Sequence, residues 1–178
     1  MRSLATMAVL GMCLLVVRCA QQSPEPASPP ATALSPEQAA NARRTIVAWL
    51  ECEECTEGQL EAVTRLGPVA VPTLAVTLRQ GPPPANRELH RAHLVDTYRQ
   101  LKDYEKQHPQ NKVTMSEDEY VRFYTANQTA LYQIRAARAL ATIGGADARR
   151  ALQEALQLPL RDDVKATVRD SLQKLPAF

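Results

Sequence analysis

The chain has 178 residues, 21 Lys and Arg against 19 Asp and Glu, and a length that fits one domain and argues against a multi-domain enzyme. Its apolar set is led by 27 Ala and 21 Leu over 13 Val and 3 Ile, with only 8 aromatic residues, a composition that favours close-packed helices and argues against an all-β fold. Removing residues 1–18 takes away Arg2 and Arg18 and no acid, leaving 19 basic against 19 acidic side chains, and with them goes the electrostatic case for a nucleic-acid partner.

In chain order, Arg2 precedes an apolar run from Leu4 to Val17, followed by Arg18 and Cys19. A charged start and a run too short to span a bilayer comfortably read as an export signal over residues 1–19, with an uncleaved membrane anchor as the alternative. Gln21 to Pro36 then holds five of the 13 prolines and no aromatic residue; residues 20–34 are expected to be a disordered tether, and the folded part to run over 35–178.

Ser35-Pro-Glu-Gln38 is a capping box with proline at the first helical position, which predicts a helix through Ile46, Trp49 and Leu50 to about Glu51. Thr56-Glu-Gly-Gln59 opens a second helix carrying Leu60, Val63 and Leu66, stopped by Gly67. A third holds Ala70, Leu74 and Leu78, with Pro72 tolerated in its first turn, and Gly81-Pro-Pro-Pro84 breaks the chain. Helix four, over residues 86–107, is expected to bury Leu89, Val95, Tyr98 and Leu101. Ser116-Glu-Asp-Glu119 launches a fifth through Tyr120, Tyr124, Asn127, Leu131, Ile134 and Ala141, long enough that a break or kink is expected near 126–129. Helices over 147–157 and 162–175 complete an all-α chain of about seven helices.

Leu60, Val63, Leu66 and Gly67 match Ala137, Leu140, Ile143 and Gly144 at an offset of 77, and Ala70, Leu74 and Leu78 match Ala148, Leu152 and Leu156 at 78. The stretches Val63-Thr-Arg-Leu-Gly-Pro-Val-Ala-Val-Pro-Thr-Leu-Ala-Val-Thr-Leu78 and Arg135-Ala-Ala-Arg-Ala-Leu-Ala-Thr-Ile-Gly144 resemble HEAT repeats, particularly the short kind in phycobilisome-lyase-like proteins. The resemblance covers 57–80 and 134–175 and implies a short α-solenoid, with a diverged or inserted helical pair between. A plain helical bundle is the other reading of the same residues. Val16-Val17-Arg18-Cys19 resembles a bacterial lipobox, departing from it at Arg18, where a small residue is usual; the resemblance implies lipidation at Cys19.

The one local motif with chemical potential is Cys52-Glu-Glu-Cys55. Cysteines three apart meet disulfide limits, and an exported protein sits where disulfides persist, so a structural bridge is expected. A redox centre is disfavoured by Glu51, Glu53, Glu54 and Glu57, which oppose a thiolate. Adding His90 and His93, one helical turn apart, gives a two-Cys, two-His set of zinc-binding type, the only cofactor the sequence suggests. On the sixth helix, Arg149, Arg150, Gln153, Glu154 and Gln157 form a polar stripe; in HEAT-like arrays the second helix of each pair lines the concave face, so the resemblance implies a partner surface there.

These observations point to a non-catalytic interaction or scaffold module of the bacterial cell envelope, exported, lipid-anchored on the periplasmic side of a membrane and presented to another envelope protein. A metal or thiol factor using Cys52, Cys55, His90 and His93 is the second reading. Bilin lyase activity, which part of the repeat family implies, conflicts with an export signal.

Overall fold

Backbone N–H groups left free at a helix start need acceptors, and three such starts are supplied locally. Ser35, Thr56 and Ser116 each accept a hydrogen bond from the N–H three residues on, while the side chains of Gln38, Gln59 and Glu119 accept one from the cap's own N–H. The structure, a computed structural model, describes residues 34–175. The expected signal over 1–19 with Cys19, and the expected tether up to residue 33, lie outside the described residues. Seven helices follow in order: α1 (Pro36–Leu50), α2 (Glu57–Arg65), α3 (Val71–Gln80), α4 (Pro84–Gln107), α5 (Glu117–Ile143), α6 (Gly145–Ala155) and α7 (Asp162–Lys174), with a 3-10 turn, Gly67–Ala70, leading into α3. The described residues contain no strand, and none of their helices is long and apolar enough to cross a membrane.

Helix α5 organises the fold, packing against all six other helices. Its C-terminal half buries Ala130, Tyr132, Gln133, Arg135, Ala136, Ala137, Ala139 and Leu140, so neighbours close on it from more than one side. That explains the Ala content, because a helix enclosed by several others needs small side chains for close approach. Tyr124 and Leu131, expected to face the core, are instead exposed. Of the break or kink expected near 126–129, a break is absent: α5 is a continuous helix of 27 residues, about 40 Å. The polar residues there find partners without leaving the helix, Thr129 Oγ1 donating to the Thr125 carbonyl at 3.0 Å and Asn127 Oδ1 accepting from Arg161 at 2.6 Å.

Helix α4 packs mainly on α5 and departs from the expected pattern. Leu94 is its buried residue, whereas Leu89 is 73% exposed. Val95, Tyr98 and Leu101 are only half-buried. Toward the far end of this pair the contact is aromatic: Tyr98 meets Tyr120 with ring centroids 5.5 Å apart, and Tyr120 meets Tyr124 at 4.5 Å.

Across the internal offset, burial recurs. Val63 and Leu140, Ala70 and Ala148, and Leu74 and Leu152 all have no solvent exposure, and Gly67 and Gly144 both take positive φ. Helix α3 packs on α5 and α6, and α6 in turn on α5 and α7, placing these positions in one core.

Gly81 closes α3 at φ +73° and ψ −152°, a conformation open essentially to glycine alone. A Cβ there would also stand 2.7 Å from Thr129 Cγ2 on α5. Gly81→Ala is therefore expected to destabilise the chain by about 2–3 kcal/mol, the strain and the overlap acting together. A urea melt of the variant that overlays the parent would remove this close approach as a constraint.

Candidate functional site

The C-terminal carbonyls of α1 have no partners within their own helix, and α5 supplies them. Arg135 is 8% exposed, and its guanidinium donates from Nη1 to the Leu50 carbonyl at 2.7 Å and from Nη2 to the Cys52 carbonyl at 2.6 Å. In return Trp49 Nε1 donates to the Arg135 carbonyl at 3.1 Å, so the only tryptophan is a buried structural residue, as its neighbours Ile46 and Leu50 suggested. This reciprocal latch ties α1 to α5 across 86 residues of sequence. Burial lowers the Arg135 pKa, and the two carbonyls hold the cation in place.

The chain leaving the latch is pinned by a Cys52–Cys55 disulfide, with Cα atoms 5.2 Å apart. Cys52 is buried and Cys55 is exposed. The loop is very short, so its closure removes only about 2 kcal/mol of chain entropy from the unfolded state. The bridge holds the turn carrying Glu53 and Glu54 between α1 and α2.

Beside the latch lies an open cleft of about 680 Å³ between the end of α1, α4 and α5. Leu50, Leu89 and Leu131 form its apolar walls, and Glu51 and Glu53 stand on its α1 side. Glu51 Oε1 accepts from the Tyr132 hydroxyl at 2.8 Å and from Asn86 Nδ2. Burial, with the hydrogen bond to Glu51 second, pushes the Tyr132 pKa up to about 12. His90 and Gln128 also line the cleft, and their Nε2 and Oε1 atoms are buried without a hydrogen-bond partner.

The His90 pKa lies below 6.5, chiefly because burial disfavours the cation; the Tyr124 backbone carbonyl opposes that shift and His93 adds to it. A base with a lowered folded pKa binds protons more weakly folded than unfolded, so acid favours unfolding. Stability is expected to fall as pH drops below 6.5 and to level off below the folded pKa. His90→Leu should flatten that slope in denaturant melts taken between pH 7 and 5. An unchanged slope would assign the acid sensitivity to other groups.

The two-Cys, two-His set is not assembled. Cys52 and His90 line the same cleft, but Cys55 and His93 do not, and the cysteines are bonded to each other. Among the described residues no group of three or more His, Cys, Asp or Glu side chains is placed to hold a metal ion. His90 is half-buried against the cleft, whereas His93 is exposed and lies beside Thr97.

The stripe on α6 divides. Arg150 and Glu154 border a groove of about 330 Å³ against α3, where Glu154 faces Arg79 at 3.9 Å and Arg150 pairs with Asp147. Gln153 and Gln157 are exposed. Arg149 turns elsewhere, donating to the Leu175 carbonyl at 3.2 Å, so its expected place on an open face is corrected to a half-buried contact with the end of α7.

Residue-level reading missed Arg135, Tyr132 and Asn86. The available signal was an arginine inside the Ala-rich run Arg135-Ala-Ala-Arg138, a stretch small enough to be buried, so that one of its cations had to find acceptors inside. No family model, curated protein or solved structure matches the chain.

Proposed function

We propose that this chain is a non-catalytic interaction module of the bacterial cell envelope: a short HEAT-like solenoid, exported and lipid-anchored through Cys19, that presents its concave face to another envelope protein. The observation carrying this reading is the α3–α6 groove. In the repeat register, α3 and α6 are the second helices of two pairs offset by 77–78 residues, and they lie side by side. Their shared groove joins apolar surface, the exposed Pro72 and the 43% exposed Val76, to the charged rim of Arg79, Arg150 and Glu154. An apolar centre with a charged rim is the usual anatomy of a protein interface.

Photo-crosslinking tests this in the native envelope. A photoreactive residue at Val76 or Arg150, both on the groove, is expected to give one discrete adduct, and one at the exposed Glu61 of α2 none. Adducts of equal yield from all three positions, or from none, would reject the groove as the partner surface. Failure of radiolabelled palmitate to enter the chain, with Cys19→Ser as the control, would reject the anchor separately.

A further inference from the structure

The cleft between α1, α4 and α5 has a chemistry of its own, distinct from the α3–α6 groove. Its volume of about 680 Å³ lies in the range of ligand-binding clefts. Leu89 and Leu131 flank it at 73% and 42% exposure, large apolar side chains left in solvent on facing helices. The charged groups on its open side are carboxylates. Glu51 and Glu53 carry negative charge, and among the described residues neither enters an ion pair, nor does the adjoining Glu54. Of the other lining residues, Gln128 Oε1 and His90 Nε2 are buried without a hydrogen-bond partner.

Cations are absent from the open part of this cleft. Arg135 is its one lining cation, and its guanidinium is already engaged by the Leu50 and Cys52 carbonyls beneath the surface. The arginines of α4 serve other faces: Arg87 donates to the Gln80 carbonyl, and Arg91 and Arg99 line a separate hollow with Glu88 and Asp96. The cleft therefore joins exposed leucines to carboxylates that enter no ion pair among the described residues, Glu51 being held by Tyr132 and Asn86 and Glu53 exposed, which is complementary to an aliphatic side chain beside an ammonium or guanidinium group.

We infer that this cleft is a second docking site, which takes a basic amphipathic segment of a partner protein, its leucine-like side chain between Leu89 and Leu131 and its Lys or Arg against Glu51 and Glu53. The apolar contact supplies most of the binding. The carboxylates select a basic segment over an acidic one and speed its approach at low salt.

The test uses the purified full chain and a fluorescein-labelled synthetic peptide of Leu- and Lys-rich turns, followed by anisotropy. Binding is expected to weaken as salt rises, and to weaken by about three- to tenfold in Glu53→Lys and in Leu89→Ser. Both residues are exposed, and circular dichroism checks that the variants keep the fold. A peptide with Glu in place of Lys, or Ser in place of Leu, should bind at least tenfold more weakly. Val76→Ser, in the α3–α6 groove, should leave the affinity unchanged, so the two surfaces fail independently. The proposal is overturned if acidic and basic peptides bind alike, or if Glu53→Lys and Leu89→Ser leave the basic peptide's affinity untouched. It is equally overturned if sedimentation shows a dimer of this chain that Leu89→Ser dissolves while the peptide does not bind, which assigns the cleft to a second copy.

Discussion

Arg135→Met is expected to lower the stability of the chain by roughly 2–5 kcal/mol, about 1–3 kcal/mol for each of the two buried carbonyls left without a donor. Methionine keeps much of the length and apolar stem of arginine, so cavity formation contributes little. The loss falls instead on the Leu50 and Cys52 carbonyls, which stay in place at the end of α1 without their donors. Arg135→Lys should recover only part of it, because an ammonium cannot span two carbonyls as a planar guanidinium does. Urea melts followed by Trp49 fluorescence read the effect at its origin, since Trp49 donates to the backbone of the same residue. A cost below about 1 kcal/mol for Arg135→Met, the net value of one ordinary hydrogen bond, would show that α1 docks without the latch.

The second large effect is in the shared core. Leu74 and Leu152 are fully buried, and Leu→Ala at either site is expected to cost about 2–5 kcal/mol, the lost transfer energy plus the cavity left behind. Their costs should be similar, because the two leucines occupy matched places in the offset pattern and pack into one continuous core. The proper control is Gln153→Ala, on the exposed side of α6, expected within about 0.5 kcal/mol of the parent. Arg149→Ala is not a neutral control, since Arg149 contacts the Leu175 carbonyl. Near-zero effects at both leucines would dissolve the alignment on which the solenoid reading rests.

These variants also separate two scales of information. Helix starts were legible because a cap and its partner lie three residues apart: Ser35 with Gln38, Thr56 with Gln59 and Ser116 with Glu119 form their bonds from one turn of chain alone. The stops at Gly81 and Gly144 were legible for the same reason, positive φ being a local requirement. The Cys52–Cys55 bridge follows equally from spacing.

Which face of a helix is buried is a different matter, decided by how many neighbours reach it. Periodicity assumes one buried stripe, and it served α3 and α6, where Leu74, Leu78, Ala148 and Leu152 are all buried. It failed on α5, which six helices enclose, and on α4, which rests mainly on one, so that Leu131 and Leu89 stand in solvent beside a cleft no single segment encodes. The Arg135 latch and the Tyr132–Glu51–Asn86 contacts join residues far apart in the chain, and bonds of that kind exist only once packing has brought their donors and acceptors together. The sequence by itself thus determined the helices, their ends and the local bridge, through interactions spanning a turn or less. The tertiary structure alone decided the latch, the broken metal set and the acidic apolar cleft, because each depends on side chains that meet only when α1, α4 and α5 are packed together.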